Sequence, residues 1–134
     1  MPDPESNYRS WLKKADNDLL NIKNNLSAER IPWDTICFHA QQAAEKTLKA
    51  FLAYHAFSLK RTHDLVALLA LAVELDSSLT DLEDECRRLT YYAVSARYPD
   101  DLYETDENDG LEMIAASQRI RDRINSRLPQ VPQT

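Results

Sequence analysis

The residue in this chain whose position most suggests chemistry is Arg97. It follows Ala93 by four residues, so helical spacing places it on the core-facing stripe of its helix rather than on the solvent face. A cation there can bond the last carbonyls of the helix and complement its dipole. Alternatively, the guanidinium offers a planar fork to a phosphate or a carboxylate. Both interpretations stay open.

A second group of polar residues lies where the third helix is predicted to begin. His63 and Asp64 follow Lys60 and Arg61 there. Helix N-termini leave unpaired backbone N–H groups that bind anions, so this segment is a candidate anion site. Residue type alone favours another interpretation, in which His63 packs or caps while Asp64 complements the helix dipole. If the site forms, we expect it to combine His63 with Arg97.

A polar strip runs along the second predicted helix, formed by Gln42, Glu45, Lys46 and Lys49. Their spacing of i, i+3, i+4 and i+7 puts them on one face, and most such strips are solvated faces with weak ion pairs. The two lysines would also suit a triphosphate. Gln41 projects into the apolar arc, so we expect it to satisfy a buried backbone group rather than to bind a ligand.

The sequence gives little support for a calcium site, a zinc site or a glycine-rich phosphate loop. The segment 100–109 is rich in acidic residues, but an EF-hand needs an acid six residues after its glycine, and Ala116 stands six residues after Gly110. No histidine pair at i, i+4 suggests zinc, so we predict no metal and no cofactor. A single glycine cannot build a Walker loop or a G-x-G-x-x-G turn.

The elements that must position these residues are five amphipathic helices. The pattern predicts an all-α, up-and-down bundle occupying residues 1–128 as one domain, with residues 129–134 as a disordered tail. The first predicted helix is capped at Ser6 and runs from Tyr8 to Leu26, and the second runs from Trp33 to His55. The third follows Thr62 and extends to Leu75. The fourth runs from a capping box at Thr80–Glu83 to Arg97, and the fifth from Asn108 to Leu128. The third is apolar nearly all round, which predicts that the bundle or a second subunit covers it.

Charge and composition point to the cytoplasm. The net charge of −6 opposes long-range attraction to nucleic acid or anionic lipid. Cys37 and Cys86 fall on apolar faces, as reduced core residues do. No signal peptide is visible, and no apolar run has the ~20 residues that span a bilayer.

Read together, four segments resemble the HEPN family of small helical domains. They are Trp11, Ala15, Asp18 and Leu19 in the first helix, the block from Cys37 to Ala50 in the second, Arg61-Thr62-His63-Asp64-Leu65 opening the third, and Ala96-Arg97-Tyr98-Pro99-Asp100 closing the fourth. The resemblance extends from about Tyr8 to Leu128, and the block from Gln41 to Lys49 is its specific part.

The resemblance implies a bundle that commonly forms a homodimer and is often encoded beside a minimal nucleotidyltransferase. Some relatives are ribonuclease toxins that carry an arginine, four to six residues and then a histidine. After Arg97 no histidine occurs in that window. Because metal-independent RNA cleavage needs groups that take and give protons near neutral pH, this departure favours a subunit without activity of its own.

We therefore predict a non-catalytic subunit that dimerises and binds a nucleotidyltransferase, a nucleotide, or both. Its ligand-binding candidates are Arg97, His63, Asp64, Lys46, Lys49, Gln42, Glu45 and Tyr98. The alternatives are a metal-independent endoribonuclease toxin, active or degenerate, and a plain dimerisation module. RNA is a partner only if the chain is a toxin, in which case Arg97 and His63 are the catalytic candidates.

Overall fold

The computed structural model describes residues 7–57, 61–95 and 105–129. Within these ranges the chain forms α1 (Tyr8–Leu26), α2 (Trp33–Tyr54), α3 (Leu65–Leu75), a 3-10 helix (Ser77–Leu82), α4 (Glu83–Ser95) and α5 (Glu107–Asn125). They contain no β-strand, and the predicted all-α bundle is confirmed. The predicted end of the fourth helix at Arg97 lies outside the described residues.

α2 is the central helix of the bundle. It packs most extensively against α1 and α5, and also against α3 and α4. Ala40, Ala43 and Ala44 are fully buried, and such small side chains allow a neighbouring helix to approach closely. Ile36, Leu48, Phe51 and Leu52 of α2 are also buried in the core.

α2 ends in a Schellman motif. The N–H of Ala56 donates to the carbonyl of Ala53 at 3.0 Å, and the N–H of Phe57 donates to that of Leu52 at 2.9 Å. Ala56 adopts a φ of 55°, the left-handed conformation that this motif requires and that normally selects glycine. The turn brings Phe57 back against the core and starts the segment that leads to α3.

The glycine of α5 permits a close contact with the first residue of α2. Gly110 is buried beneath the Trp33 ring, and a Cβ built on it would lie 2.9 Å from Trp33 Cζ3 and closer still to Cε3. A larger residue would therefore collide with the indole. The contact fixes where α5 crosses the start of α2.

Several predicted helix starts are wrong in detail. Asn7 caps α1, since its Oδ1 accepts from the N–H of Arg9 at 3.0 Å, and the predicted cap Ser6 lies outside the described residues. No capping box forms at Thr80, whose hydroxyl donates to the carbonyl of Ser77, because a 3-10 helix capped by Asp76 precedes α4. α5 begins at Glu107, where the side chains of Asp106 and Asp109 form a capping box. It ends at Asn125, three residues before the predicted Leu128.

The remaining expectations from hydropathy concern the covering of α3, the two cysteines and membrane-spanning helices. Leu65, Leu68, Leu69 and Ala72 of α3 are buried, while its outward face carries exposed Ala67 and Ala70, so the bundle covers only part of this apolar helix. Both cysteines are buried in the core, as expected. In the part of the chain that the structure describes, no helix combines the length and hydropathy needed to cross a bilayer.

Candidate functional site

Two carboxylates are buried at the α1–α2 side of the bundle. Asp18 of α1 is 5% exposed and Glu45 of α2 is 3% exposed. An ionised carboxylate that loses its water must be paired and hydrogen-bonded, because desolvation otherwise costs several kcal/mol. Each of the two is met by one histidine and one lysine.

Asp18 joins α1 to the first half of α2. Its Oδ1 lies 2.8 Å from Nδ1 of His39, and its Oδ2 accepts from Nζ of Lys46 at 2.6 Å. His39 and Lys46 are seven residues apart and so share one face of α2. Both oxygens of the carboxylate are thereby satisfied by α2.

Glu45 joins the second half of α2 to the segment before α3. Its Oε1 lies 2.8 Å from Nδ1 of His63, and its Oε2 accepts from Nζ of Lys49 at 3.2 Å. The Lys49 side chain is only 11% exposed, since its ammonium lies 5.4 Å from the ring centre of Trp11. We call this set the polar seam: Asp18, His39, Lys46, Gln41, Glu45, Lys49 and His63.

The polar strip on α2 was expected to be solvated. This is wrong for Glu45, which is buried, and for the Lys49 side chain, which is largely covered. The segment 61–64 and Trp11 cover this face, which helical periodicity within α2 cannot reveal. Gln42 stays partly exposed and donates from Nε2 to Oε1 of Gln41 at 2.8 Å. Both predicted lysines are brought together with Glu45 and Gln42, but each ammonium is held by a buried carboxylate.

His63 is the exposed end of the seam. Its side chain is 66% exposed, although Nδ1 is held by buried Glu45. With Glu45 ionised, Nδ1 carries the proton that the carboxylate accepts, and the orientation of the ring is fixed. No hydrogen bond within the described ranges involves Nε2, which can accept from or donate to a ligand according to its protonation.

The predicted role of Gln41 is confirmed. Its Nε2 donates to the backbone carbonyl of His63 at 3.3 Å and lies 3.5 Å from Oε1 of Glu45. Gln41 is 2% exposed, so this amide satisfies a backbone group that the fold removes from water. It also holds His63 beside α2 through the main chain.

The backbone N–H groups at the start of α3 are not free for an anion, contrary to one of the two predicted interpretations. The N–H of Asp64 donates to Thr62 Oγ1, and that of Leu65 donates to Thr90 Oγ1 at 3.1 Å. Asp64 Oδ1 accepts from the N–H groups of Val66 and Ala67 at 2.9 and 3.4 Å. Asp64 is thus the N-cap of α3, which agrees with the alternative that it complements the helix.

Residues 8–127 of the chain match the family model described as the HEPN domain. The chain belongs to the HEPN domain family. The crystal structure of an archaeal HEPN homologue superposes with a TM-score of 0.69 and 25% sequence identity, over 90% of this chain and 96% of that one. None of the curated proteins compared matches the chain significantly. The resemblance seen in the sequence motifs is confirmed.

The block from Cys37 to Ala50, which carried the HEPN resemblance most specifically, supplies most of the polar seam. It contributes His39, Lys46, Glu45 and Lys49, together with Gln41. The same block contains the fully buried alanines of α2. In this chain the most recognisable HEPN segment is therefore both the packing centre and the source of the seam.

The other predicted site residues cannot be placed with His63. Arg97 and Tyr98 lie outside the described residues, and so do Asp100 and Asp101 of the acidic segment. Asp106 and Asp109 cap α5 instead of binding a cation. Within the described ranges, no three residues of the metal-binding types cluster closely enough to hold a metal ion.

Apart from Gln41, which was expected to satisfy a backbone group, Asp18 and His39 are the members of the seam that the predicted site omitted. Asp18 follows Ala15 by three residues and precedes Ile22 by four, so it lies on the core stripe of α1, where all three are buried. An acid at such a position needs a partner, and that signal was available in the sequence. Its pairing with His39 requires knowing how the two helices pack.

Cys86 offers no nucleophile to this HEPN fold. Burial, reinforced by the neighbouring carboxylate of Glu85, raises the pKa of its thiol from an ordinary 9.0 to about 12. The thiolate is the reactive form, so Cys86 stays protonated and inert at neutral pH.

Proposed function

We propose that this chain is a non-catalytic HEPN subunit that forms a homodimer and binds phosphate groups through His63 and Arg97. The phosphate would belong to a nucleotide, either free or held by a nucleotidyltransferase partner. The observation that carries the proposal is the geometry of His63, an imidazole that is 66% exposed yet oriented through Nδ1 by buried Glu45. A structural histidine has no need of such exposure.

The packing of α4 supports the pairing of His63 with Arg97. Thr90 of α4 accepts a hydrogen bond from the N–H of Leu65, two residues after His63. α4 therefore passes beside the start of α3 at a residue that precedes Arg97 by seven positions in the sequence. A guanidinium and an imidazole together would suit one phosphate, since both donate to its oxygens.

Lys46 and Lys49 take a supporting role in this proposal. Each is held by a buried carboxylate, and with neutral histidines the two lysines balance Asp18 and Glu45. The seam then adds little net attraction for a triphosphate. We assign these lysines to compensating the two buried carboxylates, so that Glu45 can orient His63 toward a ligand.

The test of the ligand is thermal stabilisation by ATP or GTP. A ligand at one hundred times its Kd adds about 2.7 kcal/mol to the free energy of unfolding. We expect this stabilisation in the unaltered chain, its loss in His63→Asn, and its retention in His55→Asn, which removes another exposed imidazole. Absence of stabilisation by any nucleotide would contradict ligand binding.

The partner and the dimer are tested separately. Co-purification with a small nucleotidyltransferase encoded beside this chain, retained at high salt, would support the partner. The exposed alanine face of α3 supports a dimer, because small apolar residues permit close helix packing. Light scattering should give twice the chain mass at micromolar concentration, and a monomeric mass would leave the dimer without support.

A ribonuclease toxin is a second candidate, and the pairing of His63 with Glu45 favours it. A histidine whose Nδ1 is held by a carboxylate can take or give a proton at Nε2, as general acid–base catalysis requires. Expression should then arrest growth and degrade RNA, with relief by His63→Ala and by Arg97→Ala. Normal growth with intact RNA would eliminate this candidate and leave the binding subunit.

A further inference from the structure

The three histidines of the chain differ in their exposure and in what holds the ring. The His39 side chain is 21% exposed and that of His63 is 66% exposed, and each ring has Nδ1 2.8 Å from an oxygen of a buried carboxylate. His55 is also exposed, but within the described ranges it contacts the rings of Phe51 and Tyr54 and forms no ion pair. Within those ranges, His63 therefore differs from the other two by combining an exposed ring with a carboxylate at Nδ1.

The carboxylate of Glu45 decides which nitrogen of His63 is nucleophilic. A free neutral imidazole exchanges its proton between the two nitrogens, so the lone pair is divided between them. Glu45 Oε1 keeps the proton on Nδ1 of His63, which leaves the lone pair on Nε2. The same carboxylate stabilises the positive charge that the ring gains when Nε2 forms a bond. This arrangement is that of an activated histidine nucleophile.

We propose that His63 is a phosphoacceptor, which takes a phosphoryl group on Nε2 from phosphohistidine or from another phosphoramidate. In this reaction the lone pair of Nε2 attacks phosphorus, and the N–P bond of the donor breaks. The donor, already protonated on a nitrogen, releases neutral imidazole or ammonia with the bonding electron pair. The Nδ1 proton stays on His63, whose ring becomes a phosphorylated imidazolium beside the carboxylate of Glu45.

The charges around His63 suit a phosphoryl group. Bare carboxylates would repel this dianion, but Glu45 Oε2 accepts from Nζ of Lys49 at 3.2 Å. The carboxylate of Asp64 accepts from backbone N–H groups in the first turn of α3. Arg61, two residues before His63, adds a positive charge that would favour a phosphoryl group over an uncharged acyl group. The surroundings therefore match the charge of the proposed modification.

This inference shares His63 with the proposed phosphate site but requires a covalent bond rather than nucleotide binding. It also differs from the toxin candidate, in which Nε2 exchanges a proton with RNA. The two proposals can fail separately. Absence of stabilisation by ATP and GTP, with His63 still phosphorylated, would contradict nucleotide binding alone. Stabilisation by a nucleotide without phosphorylation of His63 would contradict the phosphoacceptor alone.

The test is phosphorylation of the intact chain by potassium phosphoramidate. Mass spectrometry at neutral pH gives the rate at each histidine, and phosphorus NMR identifies the phosphorylated nitrogen. We expect His63 to react only at Nε2 and at least about tenfold faster than His55, the lower end of what loss of a carboxylate partner costs. His39 should react least because its ring is largely covered. In urea the three rates should become equal.

The contribution of the carboxylate is tested by Glu45→Gln, which removes the charge that holds Nδ1. We expect the rate at His63 to fall about tenfold. The rate at His55, measured in the same sample, should stay unchanged. The matched control is Glu85→Gln on α4, the same substitution at a carboxylate that is 13% exposed and pairs with Arg119. His63 in that variant should react as in the unaltered chain.

Three results would overturn the proposal. One is an equal rate at His55 and His63 in the folded chain. Another is phosphorylation of His63 on Nδ1, the nitrogen that Glu45 should block. The third is an unchanged rate at His63 in Glu45→Gln, provided that circular dichroism shows the variant folded. If that variant does not fold, the comparison of His63 with His55 in the unaltered chain decides alone.

Discussion

In the polar seam two carboxylates lie inside the molecule, whereas three arginines in or just after α5 reach its surface. Glu45 of α2 is almost wholly covered, and its three polar partners come from α2 itself and from the segment before α3. Along α5 and just beyond it, Arg119, Arg123 and Arg127 recur every four residues and pair with Glu85, Asp81 and Asp76, respectively. We call these three arginines and three acids the arginine ladder.

The two regions differ in what a broken pair costs. In the polar seam, removal of Asp18 leaves His39 and Lys46, whose side chains are only 21% and 23% exposed, without their shared carboxylate, so the loss is large. In the arginine ladder, the Arg123–Asp81 pair is exposed enough for water to replace a lost partner, and exposed ion pairs contribute at most about 1 kcal/mol each. Similar residue types at similar spacing thus have different energetic weights, and burial decides between them.

The largest expected effect comes from Asp18→Ala, which leaves His39 and Lys46 without their shared carboxylate. We expect the free energy of unfolding to fall by about 3 kcal/mol, measured by urea denaturation. The matched control is Asp16→Ala, two residues earlier on α1, whose exposed carboxylate pairs with Arg121 at 3.1 Å. That change should cost less than about 1 kcal/mol, and equal losses would remove the distinction between buried and exposed pairs.

Gly110→Ala tests how closely α5 must approach α2. The new methyl group would overlap the Trp33 ring, and we expect a net destabilisation of about 1–2 kcal/mol despite the better helix propensity of alanine. In a Trp33→Leu background the clash is relieved, so the same change should become neutral or stabilising. Destabilisation of equal size in both backgrounds would contradict the contact.

Ala56→Gly should stabilise the chain by about 0.5–1 kcal/mol. The φ of 55° at the end of α2 strains any residue with a Cβ, and glycine relieves that strain at some cost in entropy. Ala67→Gly, at an exposed position within α3, is the matched control and should destabilise by about 1 kcal/mol. Thermal melts of the two variants should therefore shift in opposite directions.

Arg123→Gln should have the smallest effect, and that effect should depend on pH. Hydrogen bonds from Arg123 lower the pKa of Asp81 below its ordinary value of 3.8. Because the folded-state pKa is depressed, the pair stabilises the fold above pH 3.8, and this contribution disappears as pH falls through the lowered pKa. The melting temperatures of the variant and the unaltered chain should converge at pH 2, and a constant gap would contradict this account.

Most of the fold was predictable because its signals are local. Apolar residues at helical spacing identified α1, α2, α3 and α5 to within a few residues at their ends. The errors occurred where a single turn offers competing caps, as at Thr80, where Asp76 starts a 3-10 helix instead. Cap geometry depends on the approach of the preceding chain, and spacing alone does not specify that approach.

The candidate site was less predictable because its parts come from separate helices. His63, Glu45 and both lysines were identified by residue type, but Glu45 was expected in water and Asp18 was omitted. The burial of Glu45 follows from the segment 61–64 and from Trp11 of α1, neither of which is near it in sequence. A pattern within one helix cannot report what covers that helix.

The amino-acid sequence by itself determined the class of fold, the family motifs and the residues able to do chemistry, because these depend on residue type and on spacing along one chain. The tertiary structure decided which carboxylates lose their water and how the exposed His63 is oriented by a buried one. Those properties arise where one helix covers another, and burial sets the free energy of each charge there.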